Sequence, residues 1–182
     1  MHGYSQLFAL TSLLAIAAVS HDSFVPRAGA ATPAPDAALL REVRDRGEID
    51  ALMWRYVRAL DTLDANAYAE LYTPDGSFGS GARASKGRDA LRKMITDLKQ
   101  TQAERAAKGG APSAKMYHVI TNPYLEFVDS DHARLHAYWM TAFAAADAQS
   151  QPRIAAVGRS VDQLVRVQGR WLIQARDVAP TD

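Results

Sequence analysis

The sequence predicts an α+β fold in which helices come first and a strongly curved antiparallel sheet follows. Two observations carry this expectation. From Ala38 to Leu98 the apolar residues return every three or four positions, the period of helices with one buried face. After Lys115 the pattern changes to alternation and stays so to Val178, the period of strands. Helical and extended segments are thus segregated along the chain, as in folds whose helices cover one face of an antiparallel sheet.

Residues 1–30 differ in composition from all that follow. Leu7 to Val19 is an apolar run of about a dozen residues, too short to span a bilayer and of the length found in export signals. Small-x-small patterns follow at Ala18-Val19-Ser20 and Ala28-Gly29-Ala30, so residues 1–30 are expected to be a signal peptide and the protein to be exported. No Lys or Arg precedes the run, which leaves a buried helix, or a misplaced start in a cytoplasmic protein, as the other readings. Residues 31–37, ATPAPDA, read as a linker because two prolines disfavour helix there. One globular domain is expected over residues 38–182.

Within that domain, Ile49, Leu52, Met53, Tyr56, Val57, Leu60 and Leu63 fall in one sector of a helix, with Arg55 and Arg58 opposite. Asp61 lies at the rim of the apolar sector, about 40° beyond Val57. A second helix is expected from Ala65 to Tyr72, capped by Asp64 and ended by the turn signature Thr73-Pro74-Asp75-Gly76. Ser77 to Gly81 reads as a short strand. Arg88 to Leu98 reads as a third helix with Leu91, Met94, Ile95 and Leu98 on one side. Gln100 to Ala114 is polar and rich in Ala and Gly, and reads as a long loop. Strands are expected at Met116–Thr121, Tyr124–Val128, Ala133–Phe143, Ile154–Val167 and Trp171–Val178, with breaks at Asn122-Pro123, Ser130-Asp131, Ala144–Pro152 and Gln168-Gly169.

The bulk numbers exclude several classes of function. With 21 Lys and Arg against 20 Asp and Glu, the net charge of +1 offers no bulk attraction to nucleic acid or an anionic membrane. No Lys/Arg stripe interleaved with aromatics appears, so no nucleic-acid partner is expected. The absence of cysteine removes disulfides, thiol nucleophiles and Cys-ligated zinc. The histidines at 118, 132 and 136 have no further ligand at metal-binding spacing, and no metal site is expected.

The informative residues are polar groups at apolar positions. His118 shares a strand face with Met116 and Ile120, where an imidazole can exchange a proton near neutral pH or simply be a satisfied core histidine. Tyr56 sits in the middle of the first helix's apolar face. Asp61 at its edge needs a donor or an imidazole to offset the cost of an apolar surrounding. Ser160 and Asp162 share a face of a strand otherwise rich in Val and Leu, and a buried aspartate there demands a partner, for which Arg176 is the candidate. Trp139, Thr141 and Phe143 share one face of the middle strand. His136, Tyr138 and Met140 share the other, read as the outer or subunit-contacting face.

Several strings, taken in order, resemble the SnoaL-like branch of the NTF2-like superfamily, which includes scytalone dehydratase, bile acid 7α-dehydratase and the small subunits of ring-hydroxylating dioxygenases. They are YVRALDTLDANAYAELYTPDG from Tyr56, GRDAL from Gly87, HVITNP from His118 and GRSVDQLVRVQGRWLIQAR from Gly158. The resemblance spans Glu48 to Val178. It implies a cone-shaped barrel, a bent antiparallel sheet wrapped around the N-terminal helices and enclosing a pocket, with no cofactor. It also implies that His118, assisted by Asp61, moves protons during loss of water while Tyr56 polarises the substrate carbonyl. Ser160 and Asp162 match pocket-lining positions, and Tyr72, Asn122, Trp139, Thr141 and Arg176 are expected to contact the substrate with them. Ser160 stands where many relatives have tyrosine, and on the middle strand Thr141 is the nearest stand-in for a second acid-base group. The expected partner is a small hydrophobic molecule, and a homodimer or trimer through the sheet face is expected by resemblance. The functional expectation is a cofactor-independent lyase or isomerase acting on an oxygenated ring compound. A non-catalytic binding protein and a structural partner like the dioxygenase small subunits are the alternatives.

Overall fold

The computed structural model describes residues 36–108 and 114–181. The expected signal peptide, most of the expected linker and part of the Gln100–Ala114 segment lie outside the described residues. Helix α1 runs over Ala37–Asp61, with the Asp36 carboxylate accepting from the Ala38 N–H at its start. Its end is a Schellman motif formed without glycine. Leu63 takes a positive φ of 51°, its N–H donates to the Leu60 carbonyl and the Asp64 N–H donates to the Ala59 carbonyl. Asp64 then caps α2, Ala65–Glu70, through the Ala67 N–H. This tight junction makes Asp61 the last residue of α1 and aims its carboxylate across to the sheet.

The sheet has six strands in the order β2-β1-β6-β5-β4-β3. They are β1, Tyr72–Phe78; β2, Ser85–Lys86; β3, Met116–Phe127; β4, His132–Phe143; β5, Arg153–Val167; and β6, Arg170–Asp177. All neighbours are antiparallel except β1 and β6, which are parallel. The curved sheet is open. Its two edge strands do not pair with each other, and β2, two residues long, is too short to close the cone. Helix α3, Arg88–Ala107, packs against α2, β1 and β2, while α1 packs against α2, β3 and β6.

The apolar sector of α1 is buried as its periodicity predicts, and Ile49, Leu52, Tyr68, Tyr72, Leu91, Ile95, Leu164 and Ile173 are at most 1% exposed. Each fully buried aliphatic side chain among them contributes about 1.5–3 kcal/mol of transfer free energy.

Local expectations differ from the structure in four places. Residues 73–76 do not form a turn but lie within β1, whose pairing with β6 is irregular between Tyr72 and Ser77. Pro74, which has no N–H to donate, fits such an interruption. The Asn122-Pro123 break is a bulge inside one continuous strand, with Asn122 at φ 52° and the register shifting between Thr121 and Tyr124. The Gln100 segment continues α3 to Ala107, because Gln, Ala, Glu and Arg favour helix without needing an apolar stripe, and Gln100 bonds Glu104 one turn on. Tyr72, expected as the end of α2, opens β1 instead.

Candidate active site

A cavity of about 400 Å³ lies between the helices and the concave sheet face, within the range of small-molecule sites. Two cross-strand rows form its sheet wall: His118, Thr141 and Ala156, then Ile120 and Trp139. The helices contribute Tyr56 and Leu60 from α1, Tyr68 from α2, and Met94, Ile95 and Leu98 from α3. Arg176 enters from β6. The wall is mostly apolar, with a few polar groups set into it.

The Trp139 ring is fixed tightly. Its Nε1–H is shared between the carbonyls of Arg159 at 3.1 Å and Val178 at 3.0 Å. The indole lies on Gly158, where a Cβ would stand 2.6 Å from its Cζ2, so this position needs glycine to admit the ring.

Asp61 and His118, 57 residues apart, meet at the cavity wall. One carboxylate oxygen of Asp61 accepts from the His118 backbone N–H at 2.9 Å and lies 3.0 Å from the ring Nδ1. A carboxylate only accepts, so the hydrogen-bond pattern assigns the ring proton to Nδ1 and leaves Nε2 with its lone pair in the neutral imidazole. The side chains are 19% exposed for His118 and 9% for Asp61, the ring also bordering a shallow groove between α1 and β3. A carboxylate at the last residue of a helix faces the negative end of the helix dipole. The two N–H donors of His118 offset that cost, with Arg58 3.9 Å away.

At the other end of the cavity three tyrosines stack in a ladder. Ring centroids are 5.5 Å apart for Tyr56 and Tyr68 and 5.2 Å for Tyr68 and Tyr72, and the hydroxyls of Tyr68 and Tyr72 hydrogen-bond at 2.9 Å. Burial pushes all three phenols above the ordinary tyrosine value, so each keeps its proton and can donate it in a hydrogen bond. The Arg176 guanidinium lies over the Tyr56 ring, 4.4 Å from its centroid, and its Nη1–H donates to Asp162 in a short contact. Asp162 and Ser160 are fully buried. Burial raises the Asp162 carboxyl to about 6, against the charge and hydrogen bond of Arg176.

The structure brings His118, Tyr56, Trp139, Thr141 and Arg176 together around one cavity, with Asp61 directly behind His118. Tyr72, Ser160 and Asp162 stand behind the lining, Tyr72 holding Tyr68 and Asp162 holding Arg176. Asn122 lies elsewhere, exposed at the β3 bulge, where it accepts from the Thr121 hydroxyl. His136 stacks on Tyr124, 6.0 Å between centroids, away from the cavity-lining face of β4. The polar residue of the lining that sequence reading misses is Tyr68. Its position four residues before Tyr72 was the available signal, since that spacing pairs side chains on a helix. Among the described residues no three metal-ligating side chains converge.

Residues 41–177 match the SnoaL-like domain family. No curated protein matches the chain at a significant level. Among solved structures it is similar to an NTF2-like protein with a cystatin-like fold from Novosphingobium aromaticivorans (26% identity, TM-score 0.64, covering 80% of this chain and 88% of the other). A protein of unknown function from Mycobacterium tuberculosis is similar at 25% identity (TM-score 0.62, covering 77% and 73%). A putative scytalone dehydratase from N. aromaticivorans shares the fold at 18% identity (TM-score 0.62, covering 79% and 89%).

Proposed function

The chain belongs to the SnoaL-like domain family, and from that premise we propose that it is a cofactor-independent lyase or isomerase for a small, hydrophobic, oxygenated ring compound. The observation that carries this reading is the Asp61–His118 pair at the wall of an apolar cavity. The neutral imidazole takes a proton through Nε2 from a carbon beside the substrate carbonyl, and Asp61 holds the resulting imidazolium. A phenol of the tyrosine ladder, kept protonated by burial, donates to the carbonyl oxygen as negative charge develops there. The electron pair then expels a β-hydroxyl, which leaves as water with the imidazolium proton. In the isomerase version the proton returns at another carbon.

The test needs no knowledge of the natural substrate. The protein is incubated with 2-tetralone in D2O and loss of the protons beside the carbonyl is followed by NMR. The reading expects exchange above buffer, reduced by about 10²- to 10⁴-fold in His118→Ala, with tetralone still bound. Tetralone bound by the wild type without exchange favours a non-catalytic binding protein, a reading supported by Thr141, a group that does not ionise, beside His118.

The reading extends to assembly and location. Tyr117, Val119, Tyr138, Ile154 and Val157 are exposed on three adjacent strands of the outer sheet face, which supports a homo-oligomer formed there. Sedimentation of Val119→Asp/Val157→Asp is expected to show monomer. Export after removal of residues 1–30 is tested by the mass of the secreted chain.

A further inference from the structure

We infer that the Arg176 end of the cavity is a binding site for an ionised acid group, so that the ligand is a carboxylate whose apolar body lies along Ile120, Trp139 and Leu98. This rests on the cavity being the ligand site, as proposed above, and is independent of the proton transfer.

Arg176 is 2% exposed, lines the cavity, and carries a guanidinium with five N–H donors. Its hydrogen bond runs from Nη1 to one oxygen of Asp162, and its Nε is enclosed with no partner. Two more buried polar atoms nearby are also unpartnered, Asp162 Oδ1 and Ser160 Oγ. Asp162 and Arg176 are direct cross-strand partners and Ser160 shares the strand face of Asp162, so the three orphans form one cluster behind the tyrosine ladder. Buried polar groups in native proteins are nearly always satisfied, and each left unpaired destabilises the structure. Of the three, only Arg176 Nε belongs to a residue that lines the cavity, and a donor enclosed there without an acceptor points to a ligand that supplies one.

The acceptor is an anion because of what already surrounds Arg176. The guanidinium carbon stands 4.4 Å from the Tyr56 ring centroid while Nη1 is held by Asp162, and a planar fork held at two points suits a carboxylate. Its one counter-charge, Asp162, is raised by burial to about 6, so it takes up a proton more readily than an ordinary aspartate when a second carboxylate arrives beside it. The Tyr68 and Tyr56 hydroxyls, both at the cavity, keep their protons and can donate to the same group.

The experiment compares 2-naphthoate with 2-naphthamide, which share a body and differ in charge. Affinities are measured by calorimetry at pH 7.5 for the wild type, Arg176→Met, Asp162→Asn and His118→Ala. Wild type is expected to favour naphthoate by about tenfold or more, the scale of a charge-assisted hydrogen bond. Arg176→Met should reduce the ratio to about one. If Arg176→Met does not fold with Asp162 left unpaired, Asp162→Asn decides, because freeing Arg176 of its counter-charge must raise the ratio above that of the wild type. Equal affinity for the two ligands, no binding of naphthoate, or a ratio lost in His118→Ala but unchanged in the Arg176 and Asp162 variants overturns the inference. Failure of tetralone exchange leaves these ratios untouched, so the two readings fail separately.

Discussion

Two arginine–aspartate pairs are built on the β5–β6 strand pair and serve opposite ends. At one, Arg166 of β5 meets Asp45 of α1 at 2.5 Å, with Asp131 at 3.4 Å, Glu48 at 3.9 Å and the Trp171 ring 4.6 Å from its guanidinium carbon. At the other, Arg176 of β6 has Asp162 and the Tyr56 ring, and beyond them a cavity. Arg166 has three carboxylates of its own chain around it, although its Nη2 and Asp45 Oδ1 make no well-aligned hydrogen bond. Arg176 has one carboxylate, Asp162. The first pair clamps a helix to the sheet, while the second leaves donor capacity facing the space where a ligand fits.

Their titration differs in sign as well. Burial acts to raise both carboxyls. At Asp45 the hydrogen bond and charge of Arg166 outweigh it and hold the carboxyl below the ordinary aspartate value. At Asp162 burial wins and the carboxyl rises to about 6. The Asp45 pair therefore contributes stability that is present above the unfolded value of 3.8 and is lost as pH falls. Asp162 contributes stability that is full below 3.8 and is lost as pH rises through about 6.

Four substitutions sharpen or break this contrast. The largest effect is expected from Arg166→Met, which leaves the buried Asp45 with only the exposed Arg44, 3.5 Å away. Urea unfolding should show a loss of about 3 kcal/mol or more, with the naphthoate to naphthamide ratio unchanged. A changed ratio would mean the two arginines are not separate in function. Next comes Asp162→Asn. Between pH 4 and 7 the unliganded wild type should lose up to about 3 kcal/mol relative to this variant, the worth of a shift of about two pKa units. Parallel stability curves would contradict the raised Asp162.

Gly158→Ala should cost about 1–3 kcal/mol, the scale for overpacking a core, since its methyl displaces the Trp139 indole. Both naphthyl ligands should weaken together, the ratio being kept because Arg176 is undisturbed. Smallest is Asn122→Gly, which keeps the positive φ and should change ligand affinity by less than about 0.5 kcal/mol. A larger loss would return Asn122 to the site.

Much of this arrangement is legible in the sequence, because polar residues at apolar positions announce themselves. His118 between Met116 and Ile120, Asp61 at the rim of α1, and Asp162 opposite a candidate Arg176 are each visible from periodicity. What periodicity does not carry is depth. Ser160, Asp162 and Tyr72 share faces with cavity-lining residues yet stand behind the lining, because sheet curvature and the helices above decide which row reaches the surface. Asn122 shares a string with His118, but the bulge at Asn122-Pro123 turns it outward. Met94, Ile95 and Leu98 read as ordinary core, since an apolar cavity wall and a packed core use the same residues. The extension of α3 to Ala107 and the parallel pairing of β1 with β6 leave no apolar period to read.

The most direct measurement of the account is the tautomer of His118, read from its ¹⁵N ring shifts in the neutral state. The geometry predicts a proton on Nδ1, donated to Asp61, with Nε2 bare and available as a base, and predicts that Asp61→Asn weakens this preference. A proton found on Nε2 in the wild type would remove the base from the cavity and contradict the proposed chemistry.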